Sequence, residues 1–328
     1  MRHSLLAAVG SFFVLTGPAQ AWNNFGHMEV AAVAWDKLTP SARKEAIRLL
    51  QINPQFKTWV NGVPAGQRDQ IAFVKAATWP DQIKSLNNYH NDGPHNGDVA
   101  PKTPQASQNI GYKDHFRHKY WHFIDEPFST DGTPLIQPVP PNAQTQVAVF
   151  RKSLADTNES DSIRSYDLAW LLHLVGDLHQ PLHATSRFNR DETGGDAGGN
   201  AVKISCALSC NGATELHAFW DNLLGKTDAT PGEAIQAARD LSPADSQQAL
   251  QTNESDWIKE SFDLAQKSVY VSPVENGDGP FALTGSYQEN SLAIAKRRIA
   301  LAGARLANLL NEALIDSGSV GAEMGRRG

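Results

Sequence analysis

The stretch Leu171-Leu172-His173-Leu174-Val175-Gly176-Asp177-Leu178-His179-Gln180-Pro181-Leu182-His183 decides how the rest of the chain is read. His173 and Asp177 are four residues apart, so on a helix they leave one face, one turn apart. Pro181 has no N–H to donate and clashes with the preceding turn, so it ends that helix. His183 then lies on the bend just beyond, free to curl back toward the same point. Imidazole nitrogen and carboxylate oxygen converging in this way suit zinc, which such ligands bind at about 2.0–2.2 Å. The same residues would equally serve as a buried, hydrogen-bonded His–Asp pair, and this stretch alone leaves both readings open.

The 328-residue chain is long enough to bury a large core, and 41% hydrophobic and 20% charged residues are ordinary for a soluble globular protein. Its formal net charge of −6 excludes a general polyanion binder acting by overall field. Attraction for nucleic acid would have to be local, and bound cations are one source of it. Arg2 and His3 precede an apolar run from Leu5 to Thr16, and Ala19-Gln20-Ala21 follows as a cleavage site, so residues 1–21 read as a secretory signal peptide. The run is too short to cross a bilayer of about 30 Å, and no later stretch is long and apolar enough to span one. The mature protein is expected to begin at Trp22 and to be exported, to the periplasm or beyond. Cys206 and Cys210 are the only cysteines, and in an oxidising compartment so close a pair reads as a disulfide.

Along the chain, helix is expected over 30–35, from 40 to about 50 after a Thr39-Pro40 start, and over 67–77 leading into Thr78-Trp79-Pro80-Asp81. Residues 86–118 are polar and without period, a long loop in which His90, His95, His115 and His118 are expected on the solvated surface. A proline-rich, turn-like segment follows over 127–142. Helix resumes over 145–154 and 162–179. Residues 184–200 are irregular and end in Gly198-Gly199-Asn200; no Gly-Lys-Ser/Thr follows, which excludes a nucleotide P-loop. Residues 201–204 are expected as one strand of a small hairpin, and helices dominate again from Thr214. In the last helix, 287–315, Leu292, Ala295, Ile299, Ala302, Leu306, Leu309 and Ala313 make one apolar face. The tail over 316–328 is small and polar and is expected to be disordered. With no repeat or linker between 22 and 315, the expectation is a single, mostly all-α domain with long loops and a small β-hairpin.

His217 and Asp221 repeat the four-residue spacing of His173 and Asp177. Asp81, beside a proline at a helix start, and His122, in an aromatic segment, stand apart, as does His27, close to the expected mature N-terminus. Each alone is commonly structural, Asp81 as a helix cap and His122 as a core histidine.

Taken in order, however, these motifs resemble one family. An N-terminal tryptophan with Gly-His shortly after, Trp-x-Asp, His-Phe-x-Asp, His-x3-Asp-x5-His, Gly-Gly-Asn and Leu-His-x2-Trp-Asp are similar to the zinc-dependent, single-strand-preferring nucleases of the P-one/S-one type. That family is related in fold to bacterial zinc phospholipase C, and the resemblance spans Trp22 to about Ile315. It implies three zinc ions. Asp81, His122, His173 and Asp177 would hold the first, and His183, His217 and Asp221 the second. Trp22, through its α-amino nitrogen and carbonyl oxygen, would hold the third with His27 and a shared Asp177. His179 matches no ligand position, which leaves it a supporting or surface place.

The resemblance further implies metal-assisted hydrolysis of phosphodiesters, with Asp81 orienting the attacking oxygen and Lys84 stabilising the charged transition state. Phe123 would stack on a base, Asp125 and Asn200 would hydrogen-bond its edge, and Gly199 would let the backbone approach. Such a pocket admits only an unstacked base, so single-stranded DNA and RNA, and mononucleotides, are the implied partners of a monomeric enzyme. The chain departs from the family in having Asn23 after the leading tryptophan and Pro80 before the aspartate, where glycine and alanine are common. Two rivals are a zinc phospholipase C and an exported zinc-binding protein without catalysis. Asn200 with Asp125 speaks against the first, since a quaternary ammonium prefers an aromatic cage. Lys84 and the incomplete ligand sets speak against the second.

Overall fold

A computed structural model describes residues 22–225, 228–275 and 277–314. The signal peptide expected over 1–21 and the tail expected over 316–328 lie outside the described residues.

The helices start where the sequence supplies caps. Asn23 Oδ1 accepts from the N–H groups of Phe25 and Gly26 and opens α1, Asn24–Lys37. Thr39, with proline at the first helical position, opens α2, Pro40–Leu50. After α3, Arg68–Ala76, a capping box of Asn142 and Thr145 starts α4, Ala143–Ala155. Ser160 caps α5, Asp161–Asp177. Then come α6, Leu216–Asp221, and α7, Pro231–Asp240, the latter with a Thr230/Glu233 capping box. Asn253 caps α8, Glu254–Leu264, and Thr284 caps α9, Gly285–Ala313.

The central helix α5 is buried on every side from Arg164 to Asp177, because α1, α2, α4 and α9 all pack on it. A helix enclosed in this way has no solvent face to keep polar, and its polar residues must find partners inside. Around Trp170 of α5 gather Trp79, Trp121 and Phe150, with ring centroids 5.0–6.2 Å away. Aromatic pairs at these distances contribute about 0.5–1.5 kcal/mol each beyond the area they bury. The His122 ring lies 5.3 Å from Trp170, so this core seats a candidate ligand directly.

Two small sheets tie loops to this body. β1, Pro127–Ser129, pairs in parallel with β2, Ser186–Phe188, and β3, Ile204–Cys206, pairs in parallel with β4, Phe281–Leu283. The hairpin expected from 201–204 is therefore corrected in part. The chain does fold back through one antiparallel bridge, Lys203 with Glu215, but the extended pairing of β3 is with a strand far along the chain. Parallel pairing of such distant segments leaves no turn signature for the sequence to show. Cys206 and Cys210 form a disulfide, with Cα atoms 5.4 Å apart.

The long segment over 86–118 lies against the body in short 3₁₀ turns. His90, His95 and His115 are exposed as expected, but His118 is fully buried, a correction. Its Nδ1 is 2.7 Å from Asp92 and its Nε2 2.9 Å from Asp114, and its ring stacks on Trp121 at 3.6 Å. Burial alone would lower the His118 pKa, but the two carboxylates on its ring nitrogens raise it. A histidine clamped by two acids belongs inside; Asp92 is far off in sequence, and Asp114, though four residues away, lies outside any helix that would make the spacing tell.

Candidate metal centre

The last turn of α5 carries His173 and Asp177 on one face, as their spacing requires. His173 donates from Nδ1 to the carbonyl of Ala77 at 2.7 Å, which leaves Nε2 aimed at the cluster. After the bend at Pro181, His183 donates from Nδ1 to the carbonyl of His122 at 2.7 Å. His217, on α6, donates from Nδ1 to the carbonyl of Gly198 at 2.7 Å. Three histidines are thus held by backbone acceptors in the tautomer that presents Nε2 as a lone pair, the arrangement that orients metal-ligating imidazoles.

Those lone pairs converge. His183 Nε2 and His217 Nε2 stand 3.0 Å apart, and Asp221 Oδ2 is 3.5 Å from His217 Nε2. His173 Nε2 is 3.0 Å from His122 Nδ1 and 3.3 Å from Asp177 Oδ2, and Asp81 Oδ1 is 3.7 Å away. His27 Nε2 lies 3.3 Å from Asp177 Oδ1, with its ring stacked on His173 at 3.7 Å. Among the described residues, three groups have ligand atoms close enough together to hold an ion: His122, His173 and Asp177; His183, His217 and Asp221; and His27, Asp81 and His173. The second is the trio expected from the sequence. The other two bring together Asp81, His122, His173, Asp177 and His27, divided differently from the expected sets.

Electrostatics shows what these side chains need. None of the eight histidine and aspartate candidates is more than 5% exposed. Burial pushes His27, His122, His173 and His183 well below the ordinary histidine range, so they are neutral. Burial, and then the neighbouring Asp81 charge, push Asp177 well up; Asp221 is likewise raised, by burial first. Both ring nitrogens of His27, Nε2 of His122, Oδ2 of Asp81 and Oδ1 of Asp177 are buried without a hydrogen-bond partner. Left so, each costs about 1–3 kcal/mol, and two lone pairs facing one another at 3.0 Å have no proton to share. A cation in the cluster would satisfy those that face it, His27 Nε2 and Asp177 Oδ1 among them, and two nitrogens of one tetrahedral zinc stand roughly 3.3 Å apart. The donor set of imidazole and carboxylate fits zinc.

Close packing at two glycines lets the groups approach. A Cβ on Gly176 would come within 3.0 Å of His27 Nδ1. Gly198 has φ +62°, and a Cβ there would lie 2.3 Å from the Leu182 carbonyl oxygen and 3.2 Å from His217 Nδ1. Trp22 is fully buried, and its indole donates to the Gly176 carbonyl at 3.1 Å, which brings the first described residue beside Asp177. The Asn23 N–H donates to the Asp221 carbonyl at 3.1 Å, and Asn23 Nδ2 to the Gly225 carbonyl at 2.7 Å. Asn23, where the resemblance expects glycine, is thus a strut between the first described residues and α6. Gln180, which sequence reasoning missed, donates from Nε2 to Asp221 Oδ1 at 2.7 Å; its place before Pro181 was the available signal. His179 is buried rather than on the surface: its Nδ1 donates to the Val175 carbonyl at 2.7 Å, and its Nε2 accepts from Arg305 at 3.0 Å.

Lys84 and Asp81 form a buried ion pair, Nζ to Oδ1 2.7 Å. Next to His122, a cleft of about 260 Å³ is lined by Phe123 and Asp125 together with Tyr120, Phe188, Gly195 and Ala197. Burial, with the Asp196 charge adding to it, pushes the Asp125 carboxyl up to about 7. Gly199, at φ +81°, donates its N–H to Asp196 Oδ1 at 3.1 Å. Neither Gly199 nor Asn200 lines the cleft; Asn200 Nδ2 donates to the carbonyl of Ala197, which does, at 2.7 Å.

A family model described as S1/P1 Nuclease matches residues 22–315. Endonuclease 3 of Arabidopsis thaliana is 26% identical over 95% of this chain and 96% of its own length. Nuclease S1 of Aspergillus oryzae is 21% identical over 94% of this chain and 96% of its own. Endonuclease 4 of Arabidopsis thaliana is 30% identical over 48% of this chain and 55% of its own length.

Proposed function

The chain belongs to the S1/P1 nuclease family, and from that premise we propose that it is an exported, zinc-dependent endonuclease cleaving single-stranded DNA and RNA to 5′-phosphate products. The observation that carries this reading is the set of buried, unpartnered histidine and aspartate atoms converging beside a cleft lined by Phe123 and Asp125. Asp81, His122, His173 and Asp177 would hold one zinc, and His183, His217 and Asp221 a second. Trp22, by its freed α-amino group and carbonyl, would hold a third with His27 and Asp177. Zinc held there supplies Lewis acidity, polarising a phosphoryl oxygen and acidifying water.

The chain's own residues do the rest. Asp81 has Oδ1 paired to Lys84 and Oδ2 unpaired, so Oδ2 is the oxygen that accepts a hydrogen bond from the attacking water and aims it at phosphorus. The Lys84 ammonium, fixed 2.7 Å from Asp81, places positive charge where charge grows on the phosphoryl oxygens. Phe123 would take the face of an unpaired base and Asp125 its edge, joined there by Asn200, which is hydrogen-bonded to the cleft-lining Ala197, with Gly199 letting the backbone approach. A paired base cannot present both face and edge to such a cleft, which gives the preference for single strands. No helix among the described residues is long and apolar enough to cross a membrane, in keeping with an exported product. The test is a parallel assay on denatured DNA, RNA and phosphatidylcholine. Hydrolysis of both nucleic acids but not of the lipid is expected; hydrolysis of the lipid alone would assign a phospholipase, and of none a non-catalytic zinc-binding protein.

A further inference from the structure

Nine large apolar side chains are exposed among the described residues, and they are not spread evenly. Ile136 is 61% exposed and Val139 68%, and both line the cleft that holds Phe123 and Asp125; Val99, also exposed, lines it too. Leu135, next in the chain to Ile136, is exposed as well. Scattered exposed aliphatics need no explanation, but a group of them at the mouth of one cleft marks a binding surface.

Prolines restrict their backbone before anything binds. Ile136 and Val139 sit among Pro134, Pro138, Pro140 and Pro141, whose rings fix φ. One end of this segment is held by a turn in which Ser129, Asp131 and Thr133 hydrogen-bond one another. The other end is the capping box of Asn142 and Thr145 at the start of α4. An apolar surface ordered in advance loses little conformational freedom on binding, so more of its contact energy appears as affinity.

The cleft adjoins the candidate metal centre: Phe123 follows His122 directly, and Ile124, which also lines the cleft, donates its N–H to the His183 carbonyl at 2.8 Å. A ligand lying there needs an apolar face, a polar edge for Asp125 and a link to the phosphate chemistry next door. An unpaired nucleobase has all three. Resting on the nuclease reading above, we propose that Ile136 and Val139, with Val99, form a second wall of the base subsite. On this view the aliphatic wall, supplied by a proline-rich turn outside the ligand motifs, helps determine how tightly an unpaired base is held against Phe123.

The test is the double variant I136S/V139S, compared with wild type on a single-stranded oligodeoxynucleotide and on an oligomer of equal length with every base replaced by an abasic site. Both side chains are largely exposed, so the fold does not depend on them, and a melting curve checks this. KM on the base-bearing strand is expected to rise on the order of tenfold with kcat within about twofold, because base contacts bind ground and transition states alike. KM on the abasic strand is expected to match wild type, and the conservative I136L/V139L is expected to restore KM on the base-bearing strand. Unchanged KM on the base-bearing strand, or equal losses on both strands, would overturn the second wall while leaving the nuclease reading intact. A wild-type protein that cleaves neither strand would overturn the nuclease reading, and the wall with it.

Discussion

Gly198→Ala tests the centre without touching a ligand. Gly198 has φ +62°, and a Cβ would stand 2.3 Å from the Leu182 carbonyl oxygen, backbone that cannot swing aside. The left-handed backbone itself costs a non-glycine residue roughly 1–2 kcal/mol, and the clash forces the loop to shift. The Gly198 carbonyl is the acceptor that fixes His217 Nδ1 at 2.7 Å, so the shift reaches His217 and the trio it forms with His183 and Asp221. Disturbing a hydrogen bond of this kind behind a metal ligand weakens metal binding about 10- to 100-fold. Zinc affinity is measured by competition with a chromophoric chelator, alongside thermal melting. The expected result is one class of ion weakened by that factor, with the remaining ions bound as in wild type. A variant holding all its zinc with wild-type affinity would refute the link from the Gly198 carbonyl through His217 to the metal.

Asp81→Ala is expected to cut hydrolysis of single-stranded DNA by about 10²-fold or more, measured on pure protein; near wild-type turnover would remove Asp81 from the chemistry. A residue left in front of Trp22 turns its α-amine into an amide, a poor ligand. Such an extended form, dialysed against the same zinc buffer as the mature protein, should hold one zinc fewer and lose about 10²–10³ in kcat; equal zinc content and turnover would exclude Trp22 as a ligand. His118→Gln removes the cation between Asp92 and Asp114 and should cost about 3–5 kcal/mol in urea unfolding near pH 6. Because the His118 pKa is raised in the folded state, its stabilisation is fully present below the ordinary histidine value and lost as pH rises through the folded one. The gap between wild type and variant should therefore narrow from pH 6 to 9, and a constant gap would show that His118 is not held as a cation.

Much of this was legible in the sequence for physical reasons. The cap at Thr39-Pro40 and the apolar period of α9 place those helices to within a few residues, since capping and burial are local properties. His173 with Asp177, and His217 with Asp221, were readable because four residues is one helical turn. What escaped was whatever depends on backbone acceptors or distant segments. The carbonyls of Ala77, His122 and Gly198 orient three histidines, yet a carbonyl carries no residue type. His118 looked solvated because its polar neighbourhood gave no sign that Asp92 and Asp114 close on it from both sides. A strand was expected over 201–204, but β3 runs Ile204–Cys206, and its partner β4 is nearly eighty residues further on. The aliphatic wall at Ile136 and Val139 read only as a proline-rich turn, since nothing local says which cleft a turn will border.

The most direct measurement is zinc titration into chelator-stripped mature protein, with bound metal and hydrolysis of single-stranded DNA followed in the same samples. Three ions per chain are expected, with hydrolysis absent from the stripped protein and restored as the ions are taken up. Full hydrolysis by the stripped protein, or none after it has taken up its zinc, would contradict a metal-dependent nuclease centred on the last turn of α5.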